Sequence, residues 1–198
     1  MFLTNNLLFI HIPKSAGTSV VNVLENSTGG QKKFSIDTHS TFDVFKKHYP
    51  NLILNKKVFC IVRNPFCRFV SIYRFINRDF KLRKWFGNNY LDIKARIETF
   101  ENFINNFIFP EKVWGDNNHF SPQTLWSNNV QNIFKLENPE QINKFFKENG
   151  IYLELPLTNN QLIPSHTNFM YRKYYNSYTK KIIEDKFKSD LEAFNYDF

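Results

Sequence analysis

Two short apolar runs, each followed by a polar turn and a segment with helical periodicity, constrain the fold most strongly. The first run is Leu7–Ile10, and the second is Lys57–Val62, which is partly β-branched. Strands that are buried on both faces of a parallel sheet read as continuous apolar runs, so we expect both runs to be sheet strands. The repeated strand, loop and helix order predicts an α/β fold with a central, mostly parallel sheet flanked by helices.

Further elements are expected along the rest of the chain. Short strands are predicted at residues 34–36 and 132–136. Helices are predicted over residues 18–24, 41–48, 64–80, 97–107, 139–148 and 179–194. Long loops are expected at residues 83–94 and 111–118, and loops at the ligand-facing end of such a sheet commonly form binding sites. Because 198 residues suit one compact core, residues 1–198 are predicted to form a single domain.

Composition narrows the classes of partner and compartment. The net charge of +8 favours an anionic partner, although a basic surface that only confers solubility is also compatible with it. The basic residues form no long block, which argues against nucleic-acid binding. Cys60 and Cys67 match no zinc or redox spacing, so reduced thiols and no metal are expected. The absence of a leader or a membrane-spanning run predicts a cytoplasmic protein, and no pattern indicates its oligomeric state.

The turn after the first strand has the composition of an anion-binding loop. Small residues let backbone amides approach an anion, a helix N-terminus attracts it, and a lysine adds a point charge. The candidate residues are Lys14, Ser15, Ala16, Gly17, Thr18 and Ser19. The loop differs from the P-loop motif G-x-x-x-x-G-K-[ST], because its lysine precedes the glycine. An ordinary helix start with an exposed lysine is the alternative.

A second set of candidates follows the second strand. Arg63 comes directly after Val62, and Ser71 lies eight residues further on, within the predicted helix. An arginine can bind a phosphate with two parallel hydrogen bonds, and a serine can add a hydroxyl donor. Taken singly, Arg63 is also compatible with an ion pair and Ser71 with packing.

These two motifs together resemble those of the sulfotransferases that use 3'-phosphoadenosine-5'-phosphosulfate (PAPS). The loop is similar to their 5'-phosphosulfate-binding loop, and Arg63 with Ser71 is similar to their 3'-phosphate-binding motif. The Pro-Lys-x-Ala sequence followed by Thr-Ser resembles the carbohydrate branch, which includes the heparan sulfate 2-O-sulfotransferases. The resemblance runs almost end to end. It implies a P-loop-like three-layer domain, PAPS as donor without a metal, and a hydroxyl-bearing acceptor such as a glycan or a glycolipid precursor.

The resemblance also implies a catalytic base and a catalytic lysine. The segment around His39 resembles the one that carries the catalytic histidine of the heparan sulfate 2-O-sulfotransferases, although this chain has a single histidine there instead of a close pair. His39 would accept the proton of the acceptor hydroxyl. Lys14 would neutralise the charge that builds on the leaving oxygen. A loop histidine without a catalytic role is the alternative for His39.

Two later segments add binding candidates. Residues 118–126 resemble a His-x-x-Pro-Gln stretch that lies near acceptor and nucleotide in this branch, which makes His119 and Gln123 candidate substrate-binding residues. The alternative for this segment is that Pro122 and Trp126 only shape a loop and pack. Residues 164–168 resemble the loop that closes over the nucleotide, which implies contacts from Ser165, His166 and Thr167.

Two other functions are compatible with the same sequence features. A P-loop kinase or nucleotide hydrolase would use a similar fold and loop, but it needs an acidic metal ligand where a strand ends. The strands at residues 57–62 and 132–136 do not end in one, although Glu137 follows the second. A non-catalytic module that binds nucleotide or sulfated glycan is the other alternative.

Overall fold

The computed structural model describes residues 1–28, 38–78, 90–107, 117–156 and 170–198. Its strands are β1 (Phe2–Leu3), β2 (Leu7–Ile10), β3 (Lys57–Val62) and β4 (Asn132–Lys135). Its α-helices are α1 (Gly17–Thr28), α2 (Phe42–His48), α3 (Pro65–Ile76), α4 (Tyr90–Arg96), α5 (Phe100–Phe107), α6 (Thr124–Ser127), α7 (Pro139–Glu148), α8 (Ser177–Lys186) and α9 (Lys188–Ala193). Short 3₁₀ helices span Pro50–Leu52, Asn117–Phe120 and Met170–Tyr174. The strand predicted at residues 34–36 lies outside the described residues.

The four strands form one sheet in the order β1-β2-β3-β4. β1 pairs with β2 in antiparallel orientation, whereas the β2/β3 and β3/β4 pairs are parallel. Phe9 lies opposite Phe59, and Cys60 lies opposite Ile133. The carboxyl ends of β2 and β3 therefore meet at the same edge, which is where parallel sheets bind ligands. The α/β fold with a mostly parallel sheet and flanking helices is confirmed.

The chain groups into two compact units. The first comprises Met1–Arg63 and Gln123–Pro164, and the second comprises Asn64–Pro122 and Ser165–Phe198. Each unit has its own apolar core among the described residues. The single domain expected for residues 1–198 stays a prediction.

The core of the first unit forms between one face of the sheet and two helices. Side chains of Phe9, Phe59 and Ile61 pack with apolar residues of α1 and α7. The ring centroids of Phe59 and Phe145 lie 5.2 Å apart. Cys60 points away from this face because side chains alternate along a strand, and it is also fully buried. Burial raises the pKa of the Cys60 thiol to about 12.

The core of the second unit forms around α3. This helix begins at Pro65, and the Asn64 side chain accepts a hydrogen bond from the Phe66 amide at 2.9 Å, so its first turn is capped. Its apolar residues pack with those of α5, α8 and the Met170–Tyr174 turn. The Tyr175 hydroxyl donates to the carbonyl of Phe66 at 2.9 Å, and burial raises its pKa well above the ordinary value.

Several helix boundaries differ from the predicted ones. α3 ends at Ile76, four residues before the predicted end, and the Asn77 amide makes the last bond of the helical series by donating to the Tyr73 carbonyl. The helix expected at residues 179–194 is two helices, which meet at the fully buried Phe187. The long loop expected at residues 83–94 is wrong from residue 90 onward, since α4 begins there.

Candidate functional site

The loop between β2 and α1 has an unusual backbone. Lys14 has φ of 65° and Ala16 has φ of 64°, which is the left-handed region. This conformation costs about 1–2 kcal/mol for a residue with a β-carbon. Strain of this kind clusters at ligand sites, where surrounding contacts maintain it. The loop leads directly into the first turn of α1, where the amides of Ser19 and Val20 donate to the Ala16 carbonyl. The amides that precede these first helical bonds are suited to an anion.

Gly17 is required by space and not by its backbone angle. It does not adopt a positive φ. A β-carbon at this position would lie 1.7 Å from Nε2 and 1.9 Å from Cδ2 of His11. The His11 ring is also stacked on Phe9, with 5.7 Å between ring centroids. The glycine thus lets the ring of His11 lie directly against the start of α1.

His39 lies beside His11. Their ring centroids are 4.4 Å apart in an edge-to-face arrangement, and His39 Nδ1 is 3.0 Å from the His11 carbonyl oxygen. A carbonyl only accepts, so Nδ1 carries the hydrogen and the neutral ring has its lone pair on Nε2. The Trp126 indole donates to the His39 carbonyl at 2.6 Å, which fixes the backbone as well. The spatial pairing of His39 with His11 was not predicted from the sequence.

Arg63 and Gln123 join the same group of residues. Arg63 is 3% exposed, and its Nη1 donates to the Lys14 carbonyl at 3.4 Å. Gln123 is fully buried. Its Oε1 accepts from Ser15 Oγ at 3.1 Å and from the Arg63 amide at 2.9 Å, and its Nε2 donates to the Arg63 carbonyl at 2.7 Å. The structure therefore brings Lys14, Ser15, His39, Arg63 and Gln123 together.

Burial divides the loop residues into two kinds. Ser15, Ala16, Gly17 and Ser19 are buried, whereas Lys14 is half-buried and Thr18 is exposed. The Ser15 hydroxyl has one hydrogen, which it donates to Gln123. The hydroxyl of Ser15 thus serves to hold the loop, so the backbone of the first helical turn and the Lys14 ammonium are the groups suited to an anion.

Ser71 and His119 belong to the second unit. Ser71 lies half-buried on α3, and His119 lies in the Asn117–Phe120 turn. Arg68, also on α3, is fully buried and donates to the carbonyls of Ser121 at 2.8 Å and His119 at 3.1 Å. This arginine therefore holds the turn that carries His119. Ser165, His166 and Thr167 lie outside the described residues, so their roles stay predictions.

The residues that the structure describes hold no group of three or more His, Cys, Asp or Glu side chains arranged to bind a metal ion. Within the same ranges, no helix combines the length and apolar character that a membrane crossing requires.

Comparison with known proteins gives one family match. A family model described as "Sulfotransferase family" matches residues 1–197. No curated protein and no solved structure matches the sequence.

Proposed function

Because this chain belongs to the sulfotransferase family, we propose that it takes the sulfuryl group from PAPS and transfers it to a hydroxyl of a carbohydrate acceptor. The observation that carries this proposal is the grouping of a strained anion-binding loop, a buried arginine and a histidine of defined tautomer. In-line transfer needs these three functions: groups that bind the anionic donor, a cation for the leaving oxygen and a base for the hydroxyl.

The loop and Arg63 would bind the donor. The first turn of α1 and the Lys14 ammonium would hold the 5'-phosphosulfate, because both favour negative charge. Lys14 would also neutralise the charge that develops on the bridging oxygen as its bond to sulfur breaks. Arg63, whose backbone and guanidinium are held by Gln123 and Lys14, would bind the 3'-phosphate.

His39 would be the base. As the acceptor oxygen forms its bond to sulfur, the hydroxyl proton moves to His39 Nε2, and the bond between sulfur and the bridging oxygen breaks to release adenosine 3',5'-bisphosphate. The Nδ1 hydrogen bond to the His11 carbonyl supports this role, because it keeps the lone pair on Nε2.

The acceptor class is supported by sequence resemblance. The loop's Pro-Lys-x-Ala sequence and the following Thr-Ser are similar to the carbohydrate branch of the family. A glycan or a glycolipid precursor is therefore the acceptor class to screen first.

The donor site is tested by calorimetric titration in the presence of a chelator. Adenosine 3',5'-bisphosphate, adenosine 5'-phosphate and ATP are compared on the wild type, Arg63→Ala and Arg74→Ala. We expect selective binding of the bisphosphate that weakens about tenfold or more in Arg63→Ala, since a charge-assisted hydrogen bond is lost. Arg74, an exposed arginine on α3, is the matched control and should leave binding unchanged. Equal binding of the three ligands would refute the proposed donor, and so would ATP binding that appears only when magnesium replaces the chelator in a repeat titration.

The base is tested by His39→Asn. Asparagine retains a nitrogen donor that can reach the His11 carbonyl but has no second nitrogen to accept a proton. Turnover with PAPS should fall about 10²–10⁴-fold while bisphosphate affinity stays unchanged. His48→Asn is the matched control, since exposed His48 also bonds a backbone carbonyl through Nδ1 at 2.9 Å. Bisphosphate binding by the wild type without product from any carbohydrate would favour the non-catalytic module instead.

A further inference from the structure

Gln123 links the two elements that would bind the two ends of the donor. It is 0% exposed and its side-chain amide meets the Arg63 backbone with two hydrogen bonds, of 2.9 Å and 2.7 Å. The side chain of Gln123 thus bonds the residue after Val62 in the way that a neighbouring strand would, and it continues the hydrogen bonding of β3 by one residue. These two bonds also fix which way the side-chain amide of Gln123 points. Its oxygen must face the backbone N–H of Arg63, and its nitrogen must face the backbone carbonyl of Arg63.

The same amide holds the loop. Oε1 accepts the Ser15 hydroxyl at 3.1 Å in addition to the Arg63 amide, so its two lone pairs serve two different segments of the chain. A second link between the segments runs from Arg63 Nη1 to the Lys14 carbonyl at 3.4 Å. The left-handed backbone at Lys14 and Ala16 lies on either side of Ser15, so this tether acts where the loop is most strained.

We infer that Gln123 is a positioning residue that couples the loop between β2 and α1 to Arg63, so that each of these two elements orders the other for its part of the donor. This inference rests on the proposed donor. Because both elements are held together before binding, a ligand that carries both phosphates meets two ordered sites. The free energy of binding is then not reduced by the cost of ordering them. Without Gln123, the 3'-phosphate would meet an arginine whose backbone is held less firmly.

The coupling has a signature that a purely structural role lacks. The ratio of the dissociation constants of adenosine 5'-phosphate and adenosine 3',5'-bisphosphate measures what the 3'-phosphate adds to binding. Ser15 lies on the loop, and its hydroxyl is linked to the Arg63 amide through Gln123. A change at Ser15 should therefore reduce the contribution of the 3'-phosphate, even though that group is assigned to Arg63.

The experiment measures this ratio by calorimetry for the wild type, Gln123→Met, Ser15→Ala, the double variant and Ile142→Val. We expect the ratio to fall about tenfold in Gln123→Met and by a smaller factor in Ser15→Ala, because three and one hydrogen bonds are lost respectively. The double variant should match Gln123→Met. Ile142→Val, which removes a buried methylene from α7, should lower the melting temperature and leave the ratio unchanged.

The outcomes separate the inference from the proposed function. A ratio that stays at the wild-type value in Gln123→Met overturns the coupling alone. If that variant does not fold, Ser15→Ala decides the matter, since it removes one hydrogen bond and an unchanged ratio there also overturns the coupling. A wild type that does not prefer the bisphosphate overturns the proposed donor and, with it, the inference.

Discussion

The contact between Gly17 and His11 predicts that Gly17→Ala destabilises the protein through the His11 ring. The new carbon would lie 1.7 Å from Nε2, about half of an ordinary contact distance. The ring must therefore move, although it is stacked on Phe9 and lies against His39. Overpacking of this kind costs about 1–3 kcal/mol. Gly17 is the first residue of α1, where the better helix propensity of alanine counts for less than in a helix interior, so a net loss of about 1–3 kcal/mol is expected.

A double-mutant cycle measures the contact. The free energy of unfolding is determined by urea titration for Gly17→Ala, His11→Ala and the double variant. Removing the ring makes room for the new carbon, so the double variant should be at least about 1 kcal/mol more stable than the two single losses predict. Turnover with PAPS should also fall in Gly17→Ala, because the displaced ring disturbs His39.

Gly150 is the matched control for this cycle. It has φ of 79°, and nothing lies within 4 Å of a β-carbon built there. Gly150→Ala should cost about 1 kcal/mol through its backbone conformation alone, and His11→Ala should not reduce that cost. Additive losses, to within about 0.5 kcal/mol, for the Gly17 and His11 pair would refute the steric reasoning.

Three further predictions concern stability. The pKa of Cys60 is raised from 9.0 to about 12 in the folded state, so the free energy of unfolding should be unaffected by this thiol below pH 9 and should fall by about 1.4 kcal/mol per pH unit between these values. Arg68→Met should cost about 3 kcal/mol in urea unfolding, because two backbone carbonyls lose a buried donor. Asn176→Ala should cost about 1 kcal/mol in the same assay, because the capping box at the start of α8 is lost.

Each of these predictions has its own control. In Cys60→Ala, the free energy of unfolding should fall less steeply above pH 9 than in the wild type. Identical pH profiles of the two proteins would contradict the raised pKa of Cys60. Arg74→Met changes an exposed arginine on the same helix, so a loss equal to that of Arg68→Met would contradict a special role for the buried one. Asn176→Ser retains a capping oxygen and, like Asn176→Ala, lacks the exposed hydrogen bond to Glu101, so it should recover most of the loss seen in Asn176→Ala.

The strands and the helices with strong end signals could be predicted from the sequence. β2 and β3 have the predicted bounds because their apolar runs end at polar turns. α7 begins at the predicted Pro139, where Asn138 caps it. β1 was not predicted, since two residues carry no periodicity and its pairing depends on the turn at Thr4. α8 ends at Lys186 without a glycine or proline to mark its end, and the next residue, Phe187, is fully buried in the core, which depends on tertiary packing.

The site was only partly accessible to sequence reasoning. The composition of the loop and the position of Arg63 after a strand are local signals, and both could be read directly. The contact between His39 and His11 joins residues far apart in the chain and leaves no local pattern. Gln123 was expected near the acceptor, and its amide instead bonds Ser15 and Arg63, a role that depends on which segments the fold brings together. Its binding of substrate stays a prediction.

The division of the first unit into two separate stretches of chain sets an order of assembly. β3 ends at Val62, whereas its neighbour β4 begins only at Asn132, and Gln123 and Trp126 also belong to the later stretch. During synthesis, the loop, His39 and Arg63 emerge from the ribosome long before Gln123 and Trp126. The pairing of distant strands is slow because the intervening chain must be closed into a loop. A nascent chain that stops before Gln123 therefore carries the candidate catalytic residues without the hydrogen bonds of Gln123 and Trp126, so these residues acquire their full set of contacts only late in translation.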